Sequence, residues 1–144
     1  MTVADTYLQR LKGGFAGILR WPQLDELWST VLKDTESGWY VYAIGELPPD
    51  SPVDGDRLRQ FVREIDILLR TEHDEDYCGI VYADNRERPR FIKIYDPYNL
   101  GAVCGSSDYP PLPGWTLSKL KPVNLSEILP SVASRRRWWK RLFD

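Results

Sequence analysis

Between Pro52 and Thr71 the apolar residues Leu58, Phe61, Val62, Ile65, Leu68 and Leu69 recur at three- and four-residue intervals. That spacing lays them in one stripe along a helix, and a stripe this long has to be buried against another element. Ser51 is suited to cap the helix and Pro52 to be its first residue, with Asp54 and Asp56 near the positive end. Asp66 and Arg70 stand at the four-residue spacing that favours an ion pair. The helix is expected to lie across a sheet, so the rest of the chain must supply the strands.

Trp39–Ile44 is apolar on both faces, the pattern of a central strand covered on both sides. Cys78–Ala83 and Arg90–Tyr95 read as two more strands. The polar run Asp84–Pro89 between them reads as an exposed hairpin loop, which implies antiparallel pairing. Trp115–Leu120 fits a fourth strand. Nearer the start, Leu8, Leu11, Phe15 and Ile18 follow helical spacing over residues 5–20. Gly13, Gly14 and Gly17 weaken that helix by about 1 kcal/mol each. A second helix starts at Pro22, buries Leu24, Leu27, Trp28 and Val31, and stops at Ser37-Gly38. Short helices are expected from Ser126 and from Ser134. The expected fold is α+β: an antiparallel sheet of three to four strands packed against helices on one or both faces. Residues 1–134 form a single domain, and residues 135–144 a basic aromatic tail.

At 144 residues and 42% hydrophobic content, such a domain buries roughly two-thirds of the surface its unfolded chain exposes. It needs neither a disulfide nor a metal to fold. The only cysteines are Cys78 and Cys104. Residues 1–11 have no apolar run of the secretory kind, and no run reaches the length of a membrane span. A cytoplasmic location without cofactor is the expectation. Charge is unevenly spread. Residues 131–144 hold Arg135, Arg136, Arg137, Lys140 and Arg141 against Asp144, a net +4, so the preceding 130 residues carry −6 of the overall −2.

Four stretches carry residues capable of chemistry. Glu72-His73-Asp74-Glu75-Asp76 gathers the single histidine and four carboxylates. It lacks the glycine and the spaced ligands of a calcium loop, and reads as a solvated connection. A cysteine–histidine pair would have to use His73. Cys78, on a strand, is a small hydrophobe, whereas Cys104, followed by Gly105, Ser106 and Ser107, is the better placed thiol. No spacing ties it to His73. The long loop Asp96–Gly114 is rich in residues that seek burial, including Tyr98, Tyr109 and Leu112. With Asn99 and Cys104 it forms either an edge cover or a binding surface, two compatible uses. Pro110-Pro111-Leu112-Pro113 within it fits an extended proline-rich ligand. In the tail, helical spacing stacks Trp138 on Leu142 and Trp139 on Phe143, with most of the basic residues outside that face. Single-stranded nucleic acid, an anionic membrane surface and an acidic protein surface, of a partner or of the chain's own body, compete for it. The acidic body argues against an extensive nucleic-acid footprint, and Trp with Arg suits a protein interface. No phosphate loop, dinucleotide fingerprint, zinc-ligand spacing or nucleophile elbow is present.

The run Cys78–Asp84, then Phe91–Pro97, then Pro111–Trp115, resembles a small bacterial family connected with nitrogen-fixation gene neighbourhoods. The resemblance covers roughly the second half of the chain. That family brings no assigned activity, so the resemblance implies an accessory protein and no catalytic residue.

The functional expectation is a non-enzymatic accessory or regulatory protein that binds another protein with an acidic surface. Its contact residues would be Asp96, Tyr98, Asn99, Cys104, Tyr109 and Trp115 at the loop, and Arg135, Arg136, Arg137, Trp138 and Trp139 in the tail. Two alternatives accompany it. One is a small-molecule binder or enzyme with a pocket under the Asp96–Gly114 loop. The other is single-strand binding through the tail.

Overall fold

The structure is a computed structural model that describes residues 3–97 and 112–124. In chain order it contains α1 (Val3–Leu11), β1 (Ala16–Ile18), α2 (Trp21–Leu32), β2 (Tyr40–Ala43), α3 (Gly55–Glu72), β3 (Val81–Ala83), β4 (Phe91–Ile94) and β5 (Trp115–Ser118). The strands form one sheet in the order β1-β3-β4-β5-β2, antiparallel at every junction. The α+β expectation holds, with five strands in place of three or four.

The additional strand comes from the stretch that reads as the first helix. α1 ends at Leu11, and Gly13-Gly14 turns the chain into β1. A three-residue spacing puts two side chains on one face of a helix but on opposite faces of a strand. Phe15 and Ile18 behave as the strand dictates. Ile18 packs with α2 and α3 residues, and Phe15 joins Tyr7, Leu11 and Phe91 on the other side of the sheet.

Two apolar layers result. The larger holds Leu24, Leu27 and Trp28 of α2 and the α3 stripe against Val41, Val81, Ile92 and Leu117. The smaller holds Tyr7 and Leu11 of α1 against Tyr42, Ile44 and Phe91. β2 is covered on both faces as its composition requires, yet it lies at the sheet edge, paired with β5 alone. Its two apolar faces report helices on both sides of the sheet, not a central position.

α3 begins three residues later than Pro52 suggests. Asp54 is the cap, its carboxylate accepting from the Arg57 N–H at 2.8 Å. Gly55 is the first helical residue, its N–H donating to Glu36 Oε1 at 3.1 Å. The expected Asp66–Arg70 pair forms at 3.0 Å. It belongs to a larger network, because Asp66 also accepts from Trp28 Nε1 at 3.1 Å and Arg70 reaches Asp25 at 2.6 Å. These contacts tie α3 to α2 along their solvent-side seam.

Candidate functional site

The Asp96–Gly114 loop has a firmly held root. Gly114 N–H donates to Ile94 O at 2.9 Å, and Ile44 N–H to Gly114 O at 3.0 Å. Asp96 is only 6% exposed, and a Cβ on Gly114 would lie 3.0 Å from the Asp96 Cβ. The two ends of the loop are therefore pressed together beside β5. Trp115 is fully enclosed in the larger core, in register with Ile94 and Ala43. Of the residues expected to make contacts, Tyr98, Asn99, Cys104, Tyr109, Arg135, Arg136, Arg137, Trp138 and Trp139 lie outside the described residues. So do the expected helices from Ser126 and Ser134.

Cys78 is buried, and burial pushes its thiol pKa up, which disfavours the nucleophilic thiolate. His73 caps the end of α3, with its ring beside those of Trp21 and Tyr77. Glu72, Asp74, Glu75 and Asp76 are exposed, as a solvated connection requires. Among the described residues no group of three His, Cys, Asp or Glu side chains is placed to hold a metal ion. No described helix is long and apolar enough to cross a membrane.

The most developed surface feature is the β3–β4 hairpin loop. Asp84 Oδ1 accepts from the N–H groups of Asn85, Arg90 and Phe91 at 2.9, 2.9 and 3.1 Å. Asn85 Oδ1 accepts from those of Glu87 and Arg88, both at 2.9 Å. Two short polar side chains thus satisfy five backbone donors, the local bonding that suits Asp and Asn to turns. The loop is rigid as a consequence. It presents Arg86, Arg88 and Arg90 exposed, and none of the three has an ion-pair partner among the described residues.

Comparison with family models, curated proteins and solved structures gives no match. The resemblance drawn from Cys78–Trp115 therefore has no family model behind it, and no residue role is taken from it.

Opposite the loop stands α2, and the space between them holds two open clefts of about 460 and 350 Å³. Ile18, Gln23, Leu27 and Arg86 line the first, and Val31, Asp34, Trp39, Arg88, Arg90 and Lys119 the second. The sheet ladder explains the second set. Lys119 N–H donates to Arg90 O at 2.9 Å, continuing the β4–β5 pairing one residue past Phe91 and Ser118. Trp39 likewise precedes Tyr40, which pairs with Ser118. Strand alternation then points Trp39, Lys119 and Arg90 to the α2 side of the sheet end. Lys119 Nζ lies 5.2 Å from the Trp39 ring centre. The Trp39 indole N–H is buried without an acceptor among the described residues. The sequence reading found the loop but missed this site. The alternating arginines at 86, 88 and 90 were the available signal.

On the opposite face, Lys93 Nζ lies 4.0 Å from the Phe15 ring centre and 3.4 Å from Leu11 O at the end of α1. Burial lowers its pKa. The ammonium faces an aromatic ring and a helix C-terminus, both of which favour a cation.

Proposed function

We propose that this chain is a non-enzymatic accessory or regulatory protein that acts by binding another protein with an acidic surface. The observation that carries the reading is the hairpin loop: three arginines held exposed on a rigid turn, unpaired among the described residues, beside open clefts. Holding cations on a rigid turn lowers the entropy lost when they meet carboxylates, and complementary charge speeds encounter. The basic tail, with Arg135 to Arg137 and Trp138-Trp139, repeats the same chemistry in sequence. The Asp96–Gly114 loop, rooted at β4 and β5, adds Tyr98 and Tyr109 as anchors in this reading.

Affinity capture from the native host tests it with three baits: the full chain, a chain ending at Ser134, and Arg86→Ser/Arg88→Ser/Arg90→Ser. The full chain is expected to retain a protein that elutes with rising salt, and each altered bait to retain less. An identical set of captured proteins on all three baits, or salt-insensitive capture, overturns the reading.

A further inference from the structure

The two clefts share Thr30 and Glu87, so they form one continuous furrow between α2 and the hairpin loop. From Gln23 to Asp34 the helix and its terminal turn rise about 16 Å, the length of about five residues of extended chain. The two ends of this furrow differ. The first is polar: Gln23, Glu26, Thr30, Arg86 and Glu87 line it above the buried Ile18 and Leu27. The second sets Arg88, Arg90 and Lys119 against Asp34 and Glu87, a surplus of one positive charge, beside an indole N–H that has no acceptor among the described residues.

We propose that the furrow binds an extended segment of the partner protein, with one carboxylate side chain of that segment seated at the Trp39 end. The rest of the segment runs along α2 toward Gln23. The single surplus charge matches a carboxylate monoanion. A phosphate dianion would bring a second negative charge close to Asp34 and Glu87. Guanidinium groups also fork onto carboxylates through paired hydrogen bonds. A neutral segment would leave Arg90 and Lys119 unmet and offers the furrow no charge to complement. The proposal rests on the reading that the partner is a protein with an acidic surface, and it locates where one acidic side chain of that partner binds.

The test uses the full chain labelled with ¹⁵N and two capped peptides, Ala-Leu-Ala-Leu-Glu and Ala-Leu-Ala-Leu-Gln. The Trp39 indole resonance is identified by its loss in Trp39→Phe. The glutamate peptide is expected to shift that resonance saturably, and the glutamine peptide to bind about tenfold more weakly. The doubly altered Arg90→Gln/Lys119→Gln protein, changed only at surface side chains, should lose about tenfold in affinity for the glutamate peptide while its other resonances stay in place. An unmoved Trp39 resonance, equal shifts with both peptides, undiminished binding by the double variant, or tighter binding of inorganic phosphate overturns the proposal. If the full chain still captures an acidic partner while the peptide leaves Trp39 unmoved, the furrow assignment alone falls.

Discussion

Tyr7 is fully buried, and its hydroxyl shares a 2.8 Å hydrogen bond with that of Thr116. Desolvation raises its pKa well above the ordinary 10.0. A group whose folded pKa is raised contributes stability that is complete below the unfolded value and is lost as pH climbs past it. Lys93 works in the opposite sense over the same range. Its pKa is lowered by burial, so deprotonation relieves a native-state penalty as the solution becomes alkaline. Tyr7 is the more deeply buried of the two, so stability is expected to fall between about pH 9 and pH 11. Tyr7→Phe should flatten that fall and Lys93→Met should steepen it. Guanidinium midpoints at the two pH values provide the check, and a Tyr7→Phe protein with an unchanged pH slope would refute the assignment. Gly55 makes a steric prediction. A Cβ there would overlap the Glu36 carboxylate and lie 2.8 Å from Thr35 Oγ1. Gly55→Ala is expected to push the exposed Glu36 side chain aside and destabilise by about 1 kcal/mol through loss of its hydrogen bond to the residue-55 N–H, despite alanine's higher helix propensity. A gain in the thermal midpoint would contradict it.

The hairpin loop shows how one element depends on one side chain. Asp84→Ala removes an acceptor used by three N–H groups, one of them, Phe91, at the start of a core strand. The expected cost is about 2 kcal/mol, with faster hydrogen exchange at the Arg90 and Phe91 amides; unchanged exchange there would show that the ladder alone sets the turn. At this scale the sequence was legible wherever the period was unambiguous. The α3 stripe of Leu58, Phe61, Val62, Ile65, Leu68 and Leu69 is buried as its spacing requires. β3 and β4 pair across the polar loop between them. The failure at β1 came from Phe15 and Ile18, whose three-residue spacing fits a helix face and also two faces of a strand. Only Gly13-Gly14 favoured the second outcome, and a glycine pair ends a helix without specifying the next element. The α3 start was misplaced for a related reason: Ser51, Asp54 and Pro52 are all acceptable start signals, and the Glu36 contact with Gly55 decides among them.

The furrow is legible only from the whole molecule. Thr30 and Val31 sit on α2, Arg88 and Arg90 on the hairpin, and Trp39 and Lys119 at the ends of two paired strands. No local pattern joins residues so far apart, because sheet order brings them together. On the second face, α1 is the only helix among the described residues: its Tyr7 and Leu11 meet Tyr42, Ile44 and Phe91, with Phe15, Leu112, Leu120 and Val123 packed beside them. Burying two such side chains contributes about 1.5–3 kcal/mol each, and the Tyr7–Thr116 hydrogen bond about 1 kcal/mol more. The total, about 5 kcal/mol, rivals the full stability of a small domain. Deleting residues 1–12 should therefore do more than lower the midpoint. It uncovers Tyr42, Ile44 and Phe91 and leaves the buried Thr116 hydroxyl without Tyr7. The truncated chain is expected to bind a hydrophobic dye, to self-associate as concentration rises, and to lose its cooperative urea transition. The cores are separate layers, so part of the α2–α3 layer should keep its helical circular dichroism while tertiary signals are lost. A truncated chain that stays monomeric with the parent midpoint would mean that the second face is held by something other than α1.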